Sequence, residues 1–210
     1  MFRRLFGGRS EDKSPAREVS EAWDLRPGDF LKMGYAAPEG MSNAELQVTK
    51  VHALDLGGAG RVRRVLTLDG GGSKFMLWRG EDGKLALARE IPRRQVEQLF
   101  DIDEFARLFD HDETPSLVLE RTSVPTGLDG WTTSLYRQEA AQEAYLQDQD
   151  PADNTFDDTM TDDLQTIDFY RLVGDERQFA LEAQVFDGGR TDIIAIAFAG
   201  HSAVAELWPA

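Results

Sequence analysis

Val62-Arg63-Arg64-Val65-Leu66-Thr67-Leu68-Asp69-Gly70-Gly71-Gly72-Ser73-Lys74-Phe75-Met76-Leu77-Trp78 decides the fold class. Leu66 and Leu68, then Phe75 and Leu77, alternate with other residues on either side of three glycines. A period of two is that of a strand with one buried face, and the glycines supply the positive φ angles that a tight hairpin needs. The same grammar continues outward. Upstream, Leu46 to Leu54 alternates and ends at Gly57-Gly58, and Pro27-Gly28 sets a type II turn before a strand from Asp29 to Met33. Downstream, Asp82-Gly83 turns the chain into Lys84 to Arg89. Short alternating runs punctuated by glycine turns predict an antiparallel meander, either a small barrel or a half-sandwich.

A helical period occurs once, between Pro92 and Phe109. Pro92 suits a first turn, and Val96, Leu99 and Phe100 share a face. Asp101 with Glu104 reads as a capping box that opens a second short helix, and His111 just past it suits the negative end of that helix. After Pro115 strands return at Leu117 to Leu119, Trp131 to Arg137, Ala144 to Leu146, Ile167 to Val173, Arg177 to Phe186, Asp192 to Phe198 and Ser202 to Trp208. The opening hairpin has a counterpart there. Leu66 to Gly70 aligns with Tyr170 to Gly174, and Lys74-Phe75-Met76-Leu77 with Gln178-Phe179-Ala180-Leu181, an internal repeat of apolar-x-apolar, glycine, then Phe-x-Leu.

The expected fold is therefore mainly β, a β-rich α+β chain of two antiparallel meander or small-barrel modules joined by short helices. Residues 1–20 form a flexible tail, 21–91 an N-terminal β module, 92–114 a helical connector and 115–210 an acidic C-terminal β module.

The chain has 210 residues, with 23 basic and 38 acidic side chains and a net charge of −15. A phosphate backbone repels such a chain, so nucleic acid is not an expected partner. Charge is unevenly placed: the first 100 residues hold 17 basic and 14 acidic side chains, and residues 101–210 hold 6 and 24. With no cysteine there are no thiol nucleophiles, disulfides or thiolate metal sites. Gly70-Gly71-Gly72 precedes a strand rather than a helix and so lacks the amide cradle of a phosphate loop. No Gly-x-Ser-x-Gly elbow occurs. His201 and Ser202 are neighbours in an expected strand, where they face opposite ways and form no general-base pair. No catalytic residue and no cofactor is expected.

The start, Phe2, Arg3, Arg4, Leu5 and Phe6, is too short for a signal peptide, and no later stretch has the length of a membrane span. Those five residues are candidates for contact with a partner or a lipid headgroup layer. The acidic run from Asp148 to Asp163 reads as a surface loop. Asp148, Asp150, Asp153, Asp157 and Asp158 offer oxygens to a hard cation, but the spacing is not that of a calcium loop, and no metal is expected. Arg61 and Arg63 fall on one face of their strand and Arg64 on the other. They are read as solvated charges, or as cations that meet the acidic half of the chain.

The stretch from Val48 to Gly58, with its Asp55-Leu56-Gly57-Gly58 turn, Arg64, the Phe75 strand and the opening Arg4-Leu5-Phe6-Gly7, resembles the bacterial YjfK-like proteins, a family of unknown activity. The resemblance implies a protein of bacterial stress-response neighbourhoods that include phage-shock-type membrane-remodelling proteins, and it transfers no catalytic residues. The long acidic loop is a departure from it. The expectation is a non-catalytic binding or adaptor protein, cytoplasmic or peripheral to the inner membrane, whose partner is another protein, membrane-associated or not. A metal-dependent hydrolase using the acidic-loop carboxylates, and a calcium- or polyamine-responsive sensor, are the alternatives.

Overall fold

A computed structural model describes residues 17–57, 61–80, 82–110, 117–153 and 164–210. Within them the chain forms one eleven-stranded antiparallel sheet. The first five strands are β1 (Phe30–Met33), β2 (Glu45–Asp55), β3 (Val62–Gly70), β4 (Ser73–Arg79) and β5 (Leu85–Ile91). Two helices follow, α1 (Arg93–Leu99) and α2 (Ile102–Ala106). The remaining strands are β6 (Val118–Glu120), β7 (Leu135–Gln147), β8 (Leu164–Gly174), β9 (Phe179–Phe186), β10 (Thr191–Ala199) and β11 (Val204–Trp208).

The fold is β-rich, and its two meanders, β1 to β5 and β6 to β10, are joined by the short helices. The meanders also share two seams. β5 pairs with β10 along seven residues, from Ile91↔Ile193 to Leu85↔Ala199. On the far side β2 pairs with β7 at three positions, Ala53↔Gln147, Leu54↔Leu146 and Asp55↔Tyr145. The second seam closes β2, β3, β4, β5, β10, β9, β8 and β7 into an eight-stranded barrel. β1 and β6 flank it, and β11 adds to the outer edge of β1.

The hydrogen-bond register follows a two-fold pattern. β2 slips against β3 between Val48 and Lys50, and β7 slips against β8 between Gln138 and Ala140, so Thr49 and Glu139 are bulges at matching places. Val48↔Leu68 matches Gln138↔Leu172, and Leu31↔Leu46 matches Leu119↔Tyr136. The pattern reverses at Asp55↔Tyr145 in one seam and at Arg89↔Ala195 in the other, and it exchanges the two ends of the barrel. In register, however, Phe75 corresponds to Leu181 rather than to Phe179, since Leu68 pairs with Phe75 and Leu172 with Leu181. The β3–β4 turn uses only Gly71 and Gly72, at φ 61° and 81°, whereas β8 and β9 are joined by residues 175–178, which shifts the second strand by two.

Alternation divides the strands into an outer and an inner face. Leu66, Leu68, Leu77, Leu87, Leu172 and Leu181 point outward and pack under Val96, Leu99 and Phe105 of the helices in one large core. The inner face carries a second apolar cluster, with Val65, Ile167, Ile194 and Ile196 beside the small Ala86, Ala88, Ala144 and Ala180. Small side chains there leave room for bulky ones elsewhere in a narrow barrel.

The helices start and stop where the sequence indicates. Pro92 is the residue before α1 rather than part of its first turn, and Asp101 caps α2 by accepting from the N–H groups of Asp103 (2.9 Å) and Glu104 (3.2 Å). Two strand expectations are corrected. The expected run from Trp131 to Arg137 is strand only from Leu135, its first four residues being turn and loop, and it continues through Ala144 to Leu146 as one long strand, β7, whose polar middle pairs with β8 across a bulge. His201-Ser202 lies in a 3-10 turn, not a strand, so the two side chains do not alternate across a sheet. His111 lies outside the described residues.

Candidate functional site at one end of the barrel

β3 and β9 lie on opposite sides of the barrel, and their inward side chains Arg63 and Glu182 meet across it. Arg63 Nη1 and Nη2 donate to the two carboxylate oxygens of Glu182 at 2.8 and 3.0 Å. The side chains are 11% and 1% exposed, so a desolvated, bidentate ion pair spans the interior. The Arg63 guanidinium also rests 4.5 Å above the Trp78 ring.

Beside this pair a cavity of about 670 Å³ opens at the end of the barrel where β3 starts and β4 ends. Trp78, Phe169 and Phe198 form apolar walls, with Ala140 and Gln142 on the β7 side. Arg171 reaches in from β8 and lies 6.0 Å from the Phe198 ring. Arg61, Arg64, Arg79, Trp23, Asp24 and Glu139 line the rim. The lining residues thus include five arginines and three carboxylates, a formal excess of two positive charges in a chain whose net charge is −15. At the positions that the two-fold register assigns to the other end, Thr67 stands for Arg171, Met76 for Glu182 and Gln184 for Trp78. At these described positions the cationic character is not repeated at the other end.

The rim is fixed by bonds that run between distant segments. Arg64, on the outer face of β3, donates to both oxygens of Asp150 at 2.7 Å, to the Leu25 carbonyl at 2.9 Å and to the Trp23 carbonyl. Burial disfavours the charged form of Asp150, but the bonds from Arg64 and from the Ala152 N–H outweigh it and hold the carboxyl below its usual range. Trp23 in turn faces the Arg79 guanidinium at 5.0 Å and the edge of the His201 ring at 5.1 Å. Lower in the same segment Asp29 is 2% exposed and accepts from the N–H groups of Arg26 (2.7 Å) and Ala210 (2.8 Å) and from Arg17. Burial opposes ionisation, yet the Ala210, Arg26 and Arg17 donors prevail and lower its pKa.

The arginines read from the sequence as solvated are therefore largely structural. Arg63 and Arg64 lie on opposite faces as their spacing requires, and each joins a carboxylate of the acidic half. Of the acidic-loop candidates, Asp148 pairs with Lys50 at 2.8 Å, Asp150 holds Arg64, and the Asp153 N–H donates to the Asp150 carbonyl. Asp157 and Asp158 lie outside the described residues, as do Phe2, Arg3, Arg4, Leu5 and Phe6. Among the described residues no three carboxylate or histidine side chains come together in a way that holds a metal ion, and no helix is long and apolar enough to cross a membrane. His201 is half exposed, with Nδ1 3.1 Å from Glu21. His52 is mostly buried, and desolvation, helped by Lys50 and opposed by Asp148, lowers its pKa to about 4.

Sequence reasoning missed Trp78, Phe169, Arg171, Glu182 and Phe198 as a set. Each is an inward residue of a different strand or strand position, and only barrel closure brings them together. The one available signal was an arginine and a glutamate at alternation positions otherwise filled by apolar residues. No protein-family model, curated protein or solved structure proves similar to this chain.

Proposed function

We propose that this chain is a non-catalytic binding protein whose ligand enters the arginine-lined end of the barrel. The observation that carries the reading is the local inversion of charge, a cationic and aromatic cavity inside an acidic chain. Such a cavity concentrates anions and orients them through fixed guanidinium forks. Its size is that of pockets that take small organic molecules. The described lining supplies no serine, threonine, histidine or lysine, and two of its three carboxylates, Glu182 and Glu139, are bound by Arg63 and Arg177. These groups hold a ligand more readily than they attack one. An adaptor role toward a second protein in bacterial stress physiology, at or near the inner membrane, belongs to the same proposal and rests on the resemblance to YjfK-like proteins.

A thermal-shift screen of small anions, cations and neutral compounds tests it. Ligand at about a hundredfold excess over Kd contributes about 2.7 kcal/mol, which raises Tm by roughly 5–10 °C for a chain of this size. Anions are expected to give that shift in the native chain and not in an R61E/R79E variant. The reading fails if no anion shifts Tm, or if the variant responds equally.

A further inference from the structure

We infer that the outer edge of β11 is a docking strip for an extended segment of another protein, one that carries a lysine or arginine beside apolar residues. The strip shares no described lining residue with the arginine-lined cavity, and the inference does not rest on what that cavity binds.

An open edge is the first observation. β11 ends the strand order of the sheet and pairs, among the described residues, with β1 alone. Alternate peptide groups on its other side can therefore pair with one more strand.

A groove lies beside that edge. Arg17 meets Asp29, which also accepts from the Ala210 N–H just past the end of β11, and Glu21 meets His201 just before its start. Residues 17–21 thus run alongside β11 in the opposite direction, and a groove of about 310 Å³ separates the two. Val204, Ala205, Glu206 and Leu207 all border it. Successive residues of a strand face opposite ways, so a groove that touches four in a row follows the edge of the strand. Val19, Val204 and Leu207 are half-buried there, and Ala205 and Glu206 are exposed.

The rows that cross the sheet at this edge select the occupant. Leu207, Leu31 and Leu46 form an aliphatic row over β11, β1 and β2. Trp208 stands beside Phe30 in the next row, and these rings are 38% and 42% exposed, open to a further apolar side chain. Glu206, Lys32 and Glu45 form a row with two carboxylates and one ammonium, which a cation opposite Glu206 completes as an alternating series. An added strand that matches all three rows carries a basic residue, then an aliphatic one, then an aromatic or large apolar one. A carboxylate on an edge also turns away strands that do not answer it. A second copy of this chain would bring another Glu206 and a net charge of −15, so charge favours a basic partner over self-association.

The probe is the peptide acetyl-Ser-Phe-Val-Lys-Val-Phe-Ser-amide, which reads the same in both directions and so suits a parallel or an antiparallel strand. Titration of the full chain, with amide exchange followed by NMR, should show 1:1 binding that slows exchange at alternate residues between Val204 and Trp208. The same peptide with glutamate for lysine should bind about fivefold or more weakly. A version N-methylated at its five central residues keeps the side chains and the charge but lacks the N–H donors, and should lose at least about tenfold. Glu206→Lys, at an exposed position, should reverse the order of the lysine and glutamate peptides. A silent lysine peptide overturns the inference, as does slowed exchange that spares β11. Equal affinity of the N-methylated peptide overturns the strand pairing, and equal affinity of the glutamate peptide or no reversal in the variant overturns the selection by charge. If the outward amides of β11 already exchange slowly in the free chain, its own residues cover the edge where the protection is independent of concentration, and a second copy covers it where protection grows with concentration; either result overturns the docking of another protein. None of these outcomes bears on the anion screen, which tests the cavity separately.

Discussion

Glu182→Leu removes one partner of an ion pair that crosses the barrel and leaves Arg63 facing an apolar interior. Glu182 is 1% exposed and Arg63 11%, so water reaches the guanidinium only from the cavity side. Breaking a buried pair from one end costs about 3–5 kcal/mol, and the partial access of Arg63 places this case near 3. For a chain of this size that is a fall in Tm of roughly 6–12 °C. Arg63→Met/Glu182→Leu removes both charges and keeps apolar bulk, so it should return to within about 1–2 kcal/mol of the native chain. Urea denaturation of the four members of the cycle, followed by tryptophan fluorescence, gives the coupling energy directly. A single variant that loses less than about 1 kcal/mol, or a double variant as unstable as the two singles summed, would refute the claim that the pair is desolvated and spans the barrel.

His52 has its folded pKa lowered to about 4 from 6.5, so the unfolded chain binds the extra proton in that window. Its stabilising contribution is whole above pH 6.5 and is lost as pH falls toward 4, a change of about 3 kcal/mol; His52→Gln should flatten the stability profile between pH 4 and 6.5 relative to the native chain, as measured by denaturation across that range. Gly70 and Gly174 hold equivalent places, and a Cβ on either comes within 2.3 Å of Leu46 Cδ2 or 2.6 Å of Thr133 Cγ2. Gly70→Ala also meets the Glu45 carbonyl at 2.8 Å and should cost about 1–3 kcal/mol, read as a lower midpoint in urea with unchanged slope. Arg64→Met cuts the bonds to Asp150, Trp23 and Leu25 at once. Faster amide exchange confined to residues 22–29 and 148–153 is its expected signature, and unchanged exchange there would show that Arg64 fastens neither segment.

The strands were legible because each depends on local chemistry. Pro27-Gly28 does turn the chain, with Gly28 at φ 97°, and Gly71-Gly72 does the same for the central hairpin. Asp101 announced its helix through a short side chain that reaches the next N–H groups. Barrel closure was not legible, since three pairs between Ala53–Asp55 and Tyr145–Gln147 carry no motif. The site was hidden for the same reason. Glu182 lies 119 residues from Arg63, and a charge in a strand looks solvated until the opposite wall is known. The polar middle of β7 misled in the other direction, because a strand whose outer face meets solvent needs no apolar residues there.

The two seams differ in length, and that difference gives the barrel a spine and a clasp. Seven rungs bind β5 to β10, whereas three bind β2 to β7, and the bulges at Thr49 and Glu139 sit in the clasp strands themselves. Fluctuations that loosen the wall should begin where the fewest rungs must part, so the amides of Ala53 and Asp55 are expected to trade hydrogen with solvent ahead of those in the spine. Parting there would spread the walls around Leu56 and Gln142, both of which border the cavity. For the binding reading proposed above, the shorter seam would be a side door that a uniformly stitched cylinder lacks.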